Sequence, residues 1–333
     1  MESNESLLGK HIGNYLLTKG LSEGSFGSVY LAHHMYFKKR LVALKLLHLH
    51  LVAKERESFI REAELLETLR HRYILPIIDI GFDDGRPYLV TDYASGGSLR
   101  QRLNQTTPRL FDQDQALTIL AQIGEALHYA HQQHVVHRDL KPENILFNAQ
   151  DEALLADFGL ATVLSSMSVK LTTAMGTPAY MAPEQFKGEI SQEGDQYALG
   201  CIAYELFTGQ RLFSAPDFYA WAYKHMSELP IPLRQVNPHI PLAVEQAILK
   251  ALAKDRKACH ADVSTFLAAL SPTQELMVST NREVLPMRTR GEMSDDVLAR
   301  KVADELMWRS CMGIGPQRDL QWGNTCAEWG QAS

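Results

Sequence analysis

The chain has 333 residues, 45% of them hydrophobic and 22% charged, an ordinary globular balance that excludes disorder throughout. With 33 Lys and Arg against 39 Asp and Glu the net charge is −6, which argues against non-specific wrapping of nucleic acid, so no nucleic-acid partner is expected. No apolar run reaches the roughly 18 residues a membrane span needs, and the polar stretch Met1-Glu2-Ser3-Asn4-Glu5-Ser6 is not a secretory leader. Cys201, Cys259, Cys311 and Cys326 are far apart and form no CxxC pair, which predicts reduced thiols and a cytoplasmic setting.

Short apolar runs at residues 15–17, 29–32 and 41–44 predict strands separated by glycine-rich or basic turns. Residues 55–70 carry Phe59, Ala63 and Leu66 at helical spacing. Residues 77–80 and 88–90 flank Asp84-Gly85, a strong hairpin signal. After Gly96-Gly97 the pattern turns helical, with helices predicted over 113–133, 195–208, 217–226, 243–253 and 262–270. The fold class is therefore α+β, with a small sheet-rich lobe joined to a larger helical one. Past Ser271-Pro272 the pattern weakens to one helix, capped by Ser294 and running toward Met307, and a final segment with Trp308, Trp322 and Trp329.

Several segments carry chemistry. In Leu21-Ser22-Glu23-Gly24-Ser25-Phe26-Gly27-Ser28-Val29-Tyr30, Gly24 and Gly27 either let backbone N–H groups approach a polyphosphate or simply make a hairpin turn. Glu62 stands three residues after Phe59 and four before Leu66, so it points toward the apolar stripe. A carboxylate there needs a partner, for which Lys45 is the nearest candidate, or it reaches water from the stripe's edge. The string His137-Arg138-Asp139-Leu140-Lys141-Pro142-Glu143-Asn144 follows the long helix, and Asp157-Phe158-Gly159 begins 18 residues after Asp139. Magnesium takes oxygen ligands, a demand that Asp157 and the Asn144 amide meet. Asp139 and Lys141, two apart in an extended loop, set an acceptor for a hydroxyl proton beside a cation for a phosphoryl group.

These segments, with Val42-Ala43-Leu44-Lys45 and Ala182-Pro183-Glu184, occur in an order that resembles the eukaryotic-type (Hanks-type) serine/threonine protein kinases over residues 14–270. The run Gly176-Thr177-Pro178-Ala179-Tyr180-Met181-Ala182-Pro183-Glu184-Gln185 looks most like the bacterial branch. The resemblance implies a bilobal protein kinase fold. An extension (1–13) precedes an N-lobe of about 14–93 and a C-lobe of about 97–270, and a tail (271–333) follows. It also implies transfer of the γ-phosphoryl group of ATP, with Mg2+ or Mn2+, to Ser or Thr of protein substrates and of the chain itself.

Carried over by the resemblance, Lys45 holds the ATP phosphates and pairs with Glu62, and Asp139 and Lys141 serve the incoming hydroxyl and the γ-phosphoryl group. Asn144 and Asp157 are the metal ligands. Leu21, Ser22, Glu23, Gly24, Ser25, Phe26 and Gly27 cover the phosphates, while Val29, Ala43 and Leu146 enclose adenine. Thr91 is the gatekeeper, and Asp92 and Ala94 offer backbone groups to the adenine edge. His137, Phe158, Leu66 and Ile77 match a spine joining the lobes, and Asp195 braces the catalytic loop. Arg138 is expected to receive a phosphate from an activation loop, with Thr172 and Thr173 as the best acceptors and Ser165, Ser166 and Ser168 behind them. Thr177 is assigned to the substrate-binding loop, in contact with Asp139 and Lys141.

Three positions depart from the pattern, one of them Arg256, where the family usually has a Pro after the Asp. Ser22 replaces the first glycine of the phosphate loop, and Cys259 stands where the family has an Arg that pairs with the equivalent of Glu184, with Arg256 one turn away as a substitute. They motivate the alternative of a pseudokinase-like ATP-binding module without turnover; a small-molecule phosphotransferase lacks the activation-loop and Ala-Pro-Glu segments. The tryptophans of the tail are read either as a docking surface for a partner or as a helix packing back onto the C-lobe.

Overall fold

The computed structural model describes residues 4–24, 27–37, 39–105, 111–158 and 177–271. By its contacts the chain divides into Met1–Glu275 and Leu276–Ser333, and the second unit, with the tail helix and tryptophans expected there, lies outside the described residues. Ser25, Phe26, Gly159, Thr172, Thr173 and the three activation-loop serines also lie outside them.

The first lobe is an antiparallel sheet in the order β1-β2-β3-β4-β6-β5. Its strands are β1 (His11–Ile12), β2 (Tyr15–Glu23), β3 (Gly27–His34), β4 (Leu41–Leu47), β5 (Ile77–Asp83) and β6 (Arg86–Asp92). Alternation gives each strand two faces. Tyr30 and Ala32, Val42, Leu44 and Leu46, and Tyr88 and Val90 bury one face together with Tyr15 and Leu17. The other face carries Val29, Ala43, Lys45 and Thr91, all half-buried, in register: Val29 opposes Lys45, and Ala43 opposes Thr91. Helix α1 (Ala53–Glu67) covers only one end of this second face, where Phe59 joins Leu47, Leu51 and Leu89. The sheet is thus left open around Ala43 and Lys45. The Asp84-Gly85 hairpin forms as expected, with both residues at the positive φ (45° and 79°) that a tight two-residue turn between twisted strands requires.

The second lobe is built on α3 (Gln113–Gln132) and α4 (Gln192–Thr208). Around them lie α2 (Leu99–Gln105), α5 (Phe218–Ser227), α6 (Leu233–Val236), α7 (Leu242–Ala251) and α8 (Val263–Leu270). A short hairpin of β7 (Ile145–Phe147) and β8 (Ala153–Leu155) faces the first lobe. Every residue of α4 from Gly194 to Thr208 is buried, so this helix is the lobe's axis. Helix α3 meets α8 so closely that a Cβ on Gly124 would stand 2.7 Å from Leu267. Asp112, Ser191, Asp217 and Asp262 cap α3, α4, α5 and α8 through side-chain oxygens that accept from backbone N–H groups. The cap explains why α4 begins at Gln192, three residues before the expected start.

The surroundings of Glu184 correct one expectation. Arg256 does not reach it; its guanidinium pairs with Glu189 at 3.4 Å on the surface. The buried Glu184 carboxylate instead accepts the Ser191 hydroxyl at 2.7 Å. Ser191 therefore serves two groups, since its oxygen also accepts from Gly194 N at 3.0 Å. Replacing it with Ala removes a helix cap and the donor to a buried acceptor. We expect Ser191→Ala to cost roughly 2–4 kcal/mol in urea unfolding, and Ser191→Thr to recover most of it. An unchanged midpoint for Ser191→Ala would show that Glu184 is held otherwise.

Candidate active site

The catalytic string lies between α3 and β7, and a buried carboxylate shapes it. Asp195 in α4 is 2% exposed and accepts from the backbone N–H groups of His137 (2.7 Å) and Arg138 (2.9 Å). The His131 ring approaches the same carboxylate at 2.8 Å. These bonds hold Arg138 at φ 71°, a left-handed backbone that a long side chain adopts only when its surroundings demand it. Asp157 shares that strain at φ 62°. The fully buried His137 ring approaches Ala156 O at 2.9 Å and lies 4.8 Å from the Phe158 ring. Leu66 and Phe158 belong to one core cluster and Ile77 packs against it, so the four expected spine residues are contiguous.

The β7–β8 hairpin pairs Ile145 with Leu155, which brings Asn144 beside Asp157 at its open end. Ala156 N donates to Asn144 O at 2.9 Å. The Asn144 side chain is buried and donates Nδ2 to Asp139 O at 2.9 Å, which leaves its amide oxygen as the acceptor. An amide oxygen beside a carboxylate is a donor set that fits a hard divalent cation.

Lys45 Nζ is paired with Asp157 Oδ2 at 2.6 Å, where the sequence had led us to expect Glu62. Glu62 is half-buried on α1 and contributes instead to the electrostatics of Arg138, whose guanidinium burial drives below its ordinary pKa while Glu62 and Asp195 oppose that shift. The Lys45 ammonium thus takes the carboxylate that follows β8. Burial works to raise the Asp157 pKa, but the cations of Lys45 and Lys141 outweigh it and hold the carboxyl below its usual value. Lys141 Nζ lies 2.6 Å from Asp139 Oδ2, and Thr177 N donates to Asp139 Oδ1 at 3.0 Å. Thr177 thus meets Asp139 through its backbone rather than its hydroxyl.

Gly96 N donates to Phe147 O at 2.8 Å and Phe147 N to Gly97 O at 2.9 Å, and the neighbouring half-buried Leu146 packs against Leu75, Leu154 and Ala156. Thr91 ends this face, Asp92 is exposed and pairs with Arg40 at 3.5 Å, and Ala94 is half-buried. Leu21, Ser22, Glu23 and Gly24 form the half-buried to exposed end of β2 and its turn. Gly27 is there for packing as well as for any ligand, because a Cβ on it would come within 2.5 Å of Leu46 O; a Cβ on Gly24 meets nothing nearer than 3.7 Å.

The sequence did not single out Arg100. From α2 its guanidinium reaches Glu143 at 2.9 Å and Glu205 at 2.7 Å, and it also contacts the Tyr180 hydroxyl, which donates to Glu205 at 2.6 Å. Burial and the two carboxylates raise the Tyr180 pKa, keeping the phenol neutral. Gln185 adds a second tie, with Nε2 donating to Arg138 O at 2.9 Å and Oε1 accepting from Ala182 N at 2.8 Å. Together these bonds fasten residues 177–185 to the catalytic string. No local pattern signals a network whose members stand 105 residues apart.

A family model described as protein kinase domain matches residues 15–264. A serine/threonine-protein kinase of Bacillus subtilis, PrkC, is 36% identical over 255 residues, covering 75% of this chain and 39% of its own length. Pkn1 of Myxococcus xanthus, also a serine/threonine-protein kinase, is 36% identical over 281 residues, covering 81% and 40%. The chain spans about two-fifths of the length of these curated relatives. The crystal structure of the Mycobacterium tuberculosis PknI kinase domain superposes with a TM-score of 0.62 at 28% identity, over 79% of this chain and 96% of that one.

The Lys45–Asp157 pair yields a pH signature. Asp157 titrates lower in the folded than in the unfolded chain, so its contribution to stability is present above about pH 4 and is lost as pH falls through the folded value. Lys45→Met removes a cation that depresses this pKa. We expect the variant to be less stable than the parent at pH 7, with the gap narrowing below about pH 4 in urea unfolding series. A gap that stays constant with pH would show that Lys45 does not govern Asp157.

Proposed function

The chain belongs to the protein kinase family, in its bacterial serine/threonine branch, and we propose that it transfers the γ-phosphoryl group of ATP to Ser and Thr hydroxyls of protein substrates and of its own activation loop. The observation that carries this reading is the convergence of Lys45, Asp139, Lys141, Asn144 and Asp157, from β4, the catalytic string and the β7–β8 hairpin, on one side of an open sheet face.

Adenine lies between Val29 and Ala43 above and Leu146 below, with Thr91 at the back and the backbone of Asp92 and Ala94 at its edge. Leu21, Ser22, Glu23, Gly24, Ser25, Phe26 and Gly27 close over the phosphates, and Lys45 holds them. Asn144 and Asp157 hold Mg2+, or Mn2+, which neutralises phosphate charge when bound. An ordinary Asp is a weak base near pH 7, so Asp139 acts mainly by orienting the hydroxyl and accepting its proton as the bond to phosphorus forms. Lys141 stands 2.6 Å from that carboxylate and steadies the charge on the transferring group. Glu62 is the second partner of Lys45, taken up when nucleotide draws the ammonium away from Asp157.

Arg138 is the receiver for a phosphate on Thr172 or Thr173. A half-buried guanidinium whose pKa is lowered by burial gains most from a new dianion. Trp308, Trp322 and Trp329 supply a further contact for a protein partner, and the kinase domain works in the cytoplasm, where ATP is available. The departures that motivated a pseudokinase have local resolutions: Ser22 is exposed, and Glu184 has its donor in Ser191.

With labelled ATP and Mg2+, the parent chain should label itself and a generic protein acceptor, and Asp139→Asn should lose about 10²–10⁴-fold in rate. Phosphosite mapping should place the label on Thr172 or Thr173 in the parent alone. Equal labelling of both proteins would defeat the assignment of Asp139, and nucleotide binding without turnover by the parent would defeat the activity.

A further inference from the structure

The turn between β3 and β4 combines cations with exposed aromatic side chains. Residues 24–54 contain no Asp or Glu, in a chain that has 39 of them, and they include Lys38, Lys39, Arg40, Lys45 and Lys54. At the turn Tyr36 and Phe37 are 78% and 67% exposed, and Met35 is 42% exposed. This exposure is built in. His34 Nδ1 accepts from the backbone N–H groups of both Tyr36 and Phe37 at 3.2 Å. Its ring lies 5.0 Å from Phe37 and 6.1 Å from Tyr36, and meets Tyr15 edge-on at 5.3 Å. Met35 N donates to Asn14 O at 2.8 Å and Arg40 N to Phe37 O at 2.7 Å, so both stems of the turn are tied down. Tyr36, Phe37, Lys39 and Arg40 line one open recess. Arg40 faces Asp92 at 3.5 Å, with both side chains about half exposed, and Lys39 has no ion pair among the described residues.

We propose that this turn docks on a membrane surface containing anionic phospholipid. Two adjacent exposed aromatic rings with a methionine beside them match the interfacial zone, where the rings enter the acyl boundary and the Tyr36 hydroxyl stays at headgroup level. Lys39 and Arg40 beside them meet lipid phosphates; Asp92, which faces Arg40 at 3.5 Å, is the acidic group at the edge of the patch, and residues 24–54 themselves add none. A strand of nucleic acid needs a longer track of cations than the single cluster Lys38-Lys39-Arg40 provides. Contact through one turn is weak and reversible and holds the first lobe at the surface.

The test is co-sedimentation of the full chain with vesicles of phosphatidylcholine alone and of phosphatidylcholine mixed with phosphatidylglycerol. The parent should bind the mixed vesicles, and binding should fall with added salt. Lys39→Gln should weaken it about fivefold, the effect of one cation near the surface. Tyr36→Ser/Phe37→Ser should reduce it to the level seen on phosphatidylcholine alone. Both variants should keep the parent's autophosphorylation and melting temperature, because these side chains touch neither the cleft nor the core. Failure of the parent to bind mixed vesicles overturns the proposal, as does binding of the double variant at parent level, which would put the contact elsewhere in the chain. Capture of single-stranded RNA through Lys39 without vesicle binding would also overturn it.

Discussion

The geometry of the cleft depends on one buried carboxylate. Asp195 sits on a helix with no exposed side, and it cannot stay charged there without donors. The donors it finds are the backbone N–H groups of His137 and Arg138, with the His131 ring beside them. Those bonds force the left-handed turn at Arg138, and the turn sets the direction in which Asp139, Lys141 and Asn144 leave the string. A helix buried from Gly194 to Thr208 therefore supplies the reference frame for the loop that carries Asp139, Lys141 and Asn144. The strain at Arg138 is offset by the neutralisation of a charge that would otherwise be stranded in the core.

A second constraint is the two-sidedness of a strand. The register that buries Tyr30, Val42, Leu44 and Val90 on one face sends Val29, Ala43, Lys45 and Thr91 to the other. Helix α1 covers that second face at the Leu47 end only. The opening is thus what remains when a fifteen-residue helix is laid over a wider sheet. The β7–β8 hairpin faces it with Leu146 and, one position before β7 and two beyond β8, Asn144 and Asp157.

The elements were legible because each carried a repeating local signal: alternation in β3, β4 and β6, three-and-four spacing in α1 and α3, and Asp84-Gly85 at the hairpin. Helix α2 was not, since it buries only Leu99 and Leu103 and is held by Arg100 and Arg102, whose partners Glu143, Glu205 and Asp151 are distant in sequence. The same limit applies to charge. Sequence identified Lys45, Glu62 and Asp157 as a set, but which carboxylate the ammonium chooses depends on the relative reach of α1 and the hairpin, a tertiary quantity. Likewise the absent cation at Cys259 was visible, whereas the replacement for it, a helix-capping Ser191 whose hydroxyl turns to Glu184, required knowing where α4 begins.

The cleft as it stands is closed upon itself in charge. Asp139 divides its oxygens between Lys141 and Thr177 N, and Asp157 gives one oxygen to Lys45. In a partly desolvated site an unpaired carboxylate is costly, so each acid is matched by a group of the chain itself. On the reading proposed above, the same two ammonium ions serve phosphate oxygens and the Thr177 N–H belongs to the loop that presents the acceptor. On that reading, occupation of the cleft exchanges one set of pairings for another. Lys45 is the pivot of that exchange, with Asp157 as its partner here and Glu62 on α1 as the other acid expected from the sequence. On the proposed reading the position of α1 decides how readily the ammonium changes partners, and Phe59 is the residue that fastens α1 to the sheet at the covered end.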